Sequence, residues 1–152
     1  MRWNVDDDTF IFDLRETGRL ASELEPTKRN VVSVVGRIYD PLGFMAPIVI
    51  RLKRLFQELC RGEQNWDQPL EGKLLNQWTS LVQELRLSHP MIIPRCYLLE
   101  VEQHVRSYQL TGFCDASTGA YAAVVYLLVK SDVQSQAKFV AAKTRVAPTK
   151  TD

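Results

Sequence analysis

The stretch from Gly112 to Lys143 constrains the fold of this chain more than any other. Gly112-Phe113-Cys114-Asp115-Ala116-Ser117 reads as a strand that ends on a single carboxylate. The apolar runs Ala120 to Val129 and Phe139-Val140-Ala141-Ala142-Lys143 read as a second and a third strand. The expected spans are about Tyr108 to Cys114, Ala120 to Val129 and Lys138 to Arg145, joined by turns too short for a crossover, so the three strands are antiparallel.

Upstream of Pro90 the hydrophobic period is helical instead. Trp3 to Val5 and Thr9 to Leu14 flank Asp6-Asp7-Asp8 and read as a hairpin with an acidic turn. With so little chain before it, the hairpin reads as the last of something larger. Residues 15 to 26 are polar and end in Pro26. Thr27 then caps a helix to about Tyr39, with Val31, Val34, Val35 and Ile38 on one face. Asp40-Pro41-Leu42-Gly43 breaks it. A second helix starts near Pro47 and runs to Arg61-Gly62 with Ile48, Leu52, Leu55, Phe56 and Leu59 as its stripe. A third, from about Glu71 to Leu87, carries Leu74, Leu75, Trp78, Leu81, Val82 and Leu85 at helical spacing. Short strands are expected at Ile92-Ile93 and Tyr97-Leu98-Leu99. The change of period places a boundary near residue 90. The reading is therefore an α+β chain with a short N-terminal hairpin (1–14), a three-helix module (15–89) and the opening antiparallel strands of a mixed sheet (90–152).

Composition narrows the function classes. The 152 residues are 45% hydrophobic, enough for a core, while 19 Lys plus Arg against 18 Asp plus Glu leave a formal charge of +1, too small for a global field toward nucleic acid or membrane. Cys60, Cys96 and Cys114 are odd in number and far apart, with only His89 and His104 to assist, so neither a zinc site nor a disulfide framework is expected. The N-terminus lacks a signal-peptide apolar region and no apolar run approaches the ~20 residues of a membrane span. An intracellular setting, cytoplasmic or nuclear, follows as the expectation.

Few residues carry candidate chemistry. An acid at the exposed end of a central strand, beside small residues, is where a two-metal nuclease keeps its first ligand. Asp115 is so placed, and the alternative is an Asx-type turn bonding local amides. Such a centre holds two Mg²⁺ ions about 3.5 to 4 Å apart on several carboxylates, and one acid does not hold that pair. Asp6, Asp7 and Asp8 point in different directions around a turn, with no Gly or trailing Glu to complete a calcium loop. Lys28 and Arg29 oppose the macrodipole of the helix they open, and free amides plus two cations make a phosphate site. Arg51 and Arg54 lie three apart on the second helix, beside Lys53, where they would follow a nucleic-acid backbone; Glu58 partly neutralises that face. Trp66 and Trp78 offer base stacking, but Trp78 lies on an apolar stripe and Trp66 in a loop, so core packing is expected for both. Cys114 reads as a small buried hydrophobe.

Arg2-Trp3-Asn4, Thr27-Lys28-Arg29, the run from Val32 through Asp40-Pro41-Leu42-Gly43-Phe44, Trp66-Asp67 and Ile93-Pro94-Arg95 together resemble the Pol polyprotein of BEL/Pao-type LTR retrotransposons. So do Gly112 to Ser117, Tyr121, Ala123 to Tyr126, Ala141-Ala142-Lys143 and Arg145 to Pro148. The resemblance implies a reverse transcriptase thumb and connection region running into an RNase H-like domain. It implies that Asp115 is the first RNase H carboxylate, and that Mg²⁺ serves the complete parent site while this chain holds no cofactor. The polymerase aspartates would lie upstream of Met1 and the remaining RNase H acids beyond Asp152. Ala122 stands where that family often has Gly, and Thr149 to Asp152 departs from its usual Lys-rich continuation. The label of Pao peptidase finds no support in the residues, because Asp115-Ala116-Ser117-Thr118-Gly119 places its Gly too late for an aspartic protease loop and neither His sits in a triad context.

The function expected is that of a Pol fragment, inactive alone and at most binding nucleic acid such as an RNA–DNA hybrid through Lys28, Arg29, Arg51 and Arg54. Its other partner would be the remainder of the polyprotein. The alternatives are an interaction module, self-associating through the sheet edge open after Arg145, or an unselected remnant.

Overall fold

The computed structural model describes residues 1–98 and 105–148. Strands β1 (Arg2–Asn4) and β2 (Thr9–Phe12) form the N-terminal hairpin. Helices α1 (Arg15–Glu23), α2 (Lys28–Arg37), α3 (Ala46–Arg61) and α4 (Gly72–Leu87) follow. Strand β3 (Met91–Pro94) precedes the three long strands β4 (Val105–Ala116), β5 (Ala120–Ser131) and β6 (Ser135–Val146). Two antiparallel sheets result, one ordered β1-β2-β3 and the other β4-β5-β6. The fold is α+β, as the periodicity indicates.

The helices follow from their signals. Thr27 Oγ1 accepts from Asn30 N at 3.3 Å to cap α2, Pro47 sits in the first turn of α3, and Gly62 closes it by donating to Glu58 O at 3.1 Å. Helix α1 departs from the sequence reading, which left residues 15–26 without an element. Behind the cap residue Leu14 its buried face is Gly18 and Ala21, small residues that give little apolar stripe to detect, and its outer face is laced by Arg19 to Glu16 and Glu23. Gly18 permits the close approach of α4, since a Cβ there would lie 2.5 Å from Arg86 N.

Strand β3 pairs with β2, not with the long strands that follow it: Phe10 lies opposite Ile93 and Phe12 opposite Met91. A boundary drawn at residue 90 therefore runs between β3 and its sheet partner. Change of period marks where strands begin, not which sheet they join. Tyr97 and Leu98, expected in a strand, lie in a turn, and Leu99 falls outside the described residues.

One core holds the helices and the short sheet together. Phe12, Val31, Val34, Leu52, Leu59, Trp78 and Leu85 are among its buried members. The long sheet contributes little of its own; Val129 is its one buried side chain among the described residues. It is held by the loop after α2. Asp40 Oδ1 accepts from the amides of Gly43 and Phe44, both at 2.9 Å, and Oδ2 from Met45 N at 2.7 Å. So shaped, the loop presents Leu42 O to Ala142 N at 2.8 Å on the outer edge of β6 and stacks Phe44 on Phe139 with centroids 4.2 Å apart. Gly43 has φ +84°, and a Cβ there would lie 2.0 Å from Ala142 O.

Two substitutions test this joint. Gly43→Ala combines a left-handed backbone with a direct clash and should destabilise by about 2 kcal/mol or more, and Asp40→Ala, which strands three amides, by about 1–3 kcal/mol. Urea denaturation measures both losses, and in each variant the amides of β6 should exchange with solvent faster than those of α4.

Candidate functional site

Asp115 sits one residue before the end of β4, exposed, opposite Ala122 in the register. The pleat places Phe113 and Asp115 on the same side, toward α3. There they border a cleft of about 490 Å³ that also takes in Pro47, Val124, Tyr126 and Phe139. The cleft is an aromatic corner: Phe113 and Tyr126 meet edge-on at 6.2 Å, and Tyr126 and Phe139 at 6.0 Å. Asp115 Oδ1 accepts from the following amide, Ala116 N, at 2.9 Å. Ser117 organises the β4–β5 turn, its hydroxyl accepting from the amides of Gly119 and Ala120 at 3.3 and 3.2 Å. Asp115 is thus a strand-end carboxylate, but on an edge strand of the described sheet and not a central one, and its bond to the next amide is not that of an Asx turn, which reaches two residues on.

Among the described residues no three His, Cys, Asp or Glu side chains gather as a metal-binding group. The residues level with Asp115 across the sheet are Ala122 and, beyond it, Thr144, so the donor set these residues present does not fit a divalent ion pair.

The four candidate cations fare differently. Arg29 forks onto Asp67, with Nε to Oδ1 at 2.6 Å and Nη2 to Oδ2 at 2.9 Å, and this pairing lowers the Asp67 carboxyl below its ordinary range. Lys28 Nζ lies 4.8 Å from the Trp66 ring centroid and 3.5 Å from Gln64 O. The two cations at the start of α2 thus clamp the loop between α3 and α4, and Arg29 N completes the clamp by donating to Trp66 O at 3.0 Å. Arg51 is paired with Glu84 across α3 and α4, its Nη2 donating to Oε1 at 2.9 Å, and the Glu84 carboxyl is lowered accordingly. Arg54 is the exception. Its guanidinium rests against the β4–β5 turn, 3.3 Å from where a Gly119 Cβ would be, and it makes no ion pair among the described residues.

The aromatic and acidic side residues are also resolved. Trp78 is buried in the core as expected. Trp66 is 47% exposed and lies between Phe56 and the two cations rather than in the core. Cys114, expected buried, is exposed on the edge strand β4. Asp8 of the acidic turn binds Arg95, at 2.6 and 3.1 Å, and accepts from Trp3 Nε1 at 3.0 Å. The turn thus fastens β3 to the hairpin. His104 and Thr149 to Asp152 fall outside the described residues.

A family model described as the Pao retrotransposon-like RNaseH-like domain matches residues 27–152, which takes in α2 to α4 as well as the long sheet. No curated protein matches the chain. If Asp115 serves function and not folding, Asp115→Asn should shift stability by no more than about 0.5 kcal/mol in a urea melt.

Proposed function

The chain belongs to the Pao retrotransposon-like RNaseH-like family, and from that premise we propose that it is a portion of a Pol polyprotein. In this reading residues 15–89 act as a thumb and connection-like module. The long sheet β4-β5-β6, without β3, which pairs with β2, opens an RNase H-like domain whose further acids other segments would supply. The observation that carries the reading is Asp115, an unburied carboxylate at the end of an edge strand, in the family-matched region, with one local hydrogen bond and no structural ion pair among the described residues. Asp115 would be one of several carboxylates holding a metal pair in a complete site, where the ions would supply polarisation of the scissile phosphate and activation of water. This chain's own part is to hold one carboxylate at a fixed strand end. Alone it does not cleave the RNA of a hybrid.

The residue carried forward for nucleic-acid contact is Arg54. Arg29 and Arg51 already have carboxylate partners, and Lys28 is drawn over Trp66. Arg54 lies on α3 beside the turn that follows Asp115, so a backbone phosphate held there is presented to the same end of the sheet.

The chain incubated with an RNA–DNA hybrid and Mg²⁺ should leave the RNA strand intact; cleavage that Asp115→Asn abolishes would show that the site is complete without other segments. Hybrid binding should weaken with salt, and Arg54→Ala should reduce the slope of log K against log salt by roughly 0.7–0.9. Arg29→Ala should instead speed hydrogen exchange in the 62–70 loop. An unchanged slope for Arg54→Ala, followed by fluorescence anisotropy, removes Arg54 from the interface.

A further inference from the structure

Between the end of α2, the first half of α3 and the outer edge of β6 lies a recess of about 140 Å³. Val35 and Ile38 give it apolar walls, and its charged members are Lys53 of α3, Lys143 of β6 and Asp40. The lysines come from elements far apart in the chain, and neither makes an ion pair among the described residues. Asp40 does not pair with them, because its two oxygens are taken by the amides of Gly43, Phe44 and Met45.

The strand adds two neutral donors. The edge of β6, expected open after Arg145, is taken at Ala142, whose amide donates to Leu42 O. Alternate amides of an antiparallel strand point to the same side, so Thr144, two residues on in an unbroken register, turns its N–H to that outer edge as well. Thr144 lines the recess, and no hydrogen bond among the described residues takes its outward amide or its hydroxyl.

We propose that this recess binds a phosphate monoester, with Lys53 and Lys143 as counter-charges and the amide and hydroxyl of Thr144 as neutral donors. The match is one of charge and donor count. A monoester carries about −1.5 to −2 charges at neutral pH and three strong acceptor oxygens, which two ammonium groups and two further donors satisfy. Apolar walls strengthen each of those bonds by keeping the local dielectric low. A divalent cation is repelled by the lysines. A phosphodiester inside a nucleic-acid strand fits less well, since it brings one charge, two free oxygens and two ester arms to place. A free mononucleotide and the 5′-terminal phosphate of a strand share the required chemistry. The recess contains neither Asp115 nor Arg54, so the proposal does not rest on the RNase H reading or on hybrid binding.

The test follows the amide resonances of the whole chain, at constant ionic strength and without divalent ions, as inorganic phosphate, AMP or 3′,5′-cyclic AMP is added. Phosphate and AMP should shift Gly43, Lys143 and Thr144, and the cyclic diester should bind about tenfold more weakly. Lys53→Met and Lys143→Met keep the aliphatic stem and should each weaken AMP binding about tenfold, while Lys53→Arg retains most of it. Lys130→Met, an equal change of charge on β5, should leave AMP binding unchanged, and the α4 resonances should stay in place in every variant. Oligonucleotides with a 5′-phosphate or a 5′-hydroxyl then separate the two sources. Tighter binding of the phosphorylated strand assigns a strand terminus, equal binding assigns the free nucleotide, and both support the site. No shift at Thr144 with either monoester, equal affinity for the cyclic diester, or a loss in Lys130→Met as large as in Lys53→Met would overturn it.

Discussion

The Asp40 carboxylate, by gathering the amides of Gly43, Phe44 and Met45, fixes the loop on which the whole arrangement depends. A three-stranded sheet with one buried side chain has too little core to stand in water alone. The loop gives it one. Phe44 lies 5.2 Å from Phe12 of the central core and 4.2 Å from Phe139 of β6, so a single ring joins the two halves. Helix α3 leaves this loop across the sheet, and Gln57 donates to Ala147 O at 2.7 Å beyond the end of β6. The cleft beside Asp115 exists because α3 begins at Ala46 and covers the β6 side while leaving the β4 side uncovered.

Several charged side chains fasten one segment to another. Trp3, Asp8 and Arg95 hold β3 on the hairpin, and Lys28, Arg29, Trp66 and Asp67 hold the α3–α4 loop on the start of α2. These exposed pairs act more on geometry than on net stability, since water screens them. They also decide what remains for a ligand. Positive charge at the start of α2 conflicts with the helix dipole, and that conflict alone suggests an anion site. The structure answers it with Asp67 and the face of Trp66 instead.

Family membership and local geometry bear on different questions. The match over residues 27–152 assigns the chain to the Pao RNase H-like family. The geometry shows one carboxylate at an exposed strand end, opposite Ala122 and beside an aromatic corner. Chemistry that needs several acids is outside what these neighbours offer among the described residues.

Periodicity and capping residues were sufficient for α2, α3, α4 and the three long strands, because Thr27, Pro47, Gly62 and the alternation around Val124 act locally. Asp115 was legible too, as an acid closing a strand. Helix α1 was not, since Gly18 and Ala21 bury through smallness and only α4 makes that burial visible. Nor was the partnership of β3 with β2, the engagement of Arg29 and Arg51, or the closed edge of β6. Each of these joins residues far apart in the chain. Local spacing determines what an element is; only the packed chain decides which edges, charges and faces it leaves free, because those are set by whatever arrives from elsewhere to cover them.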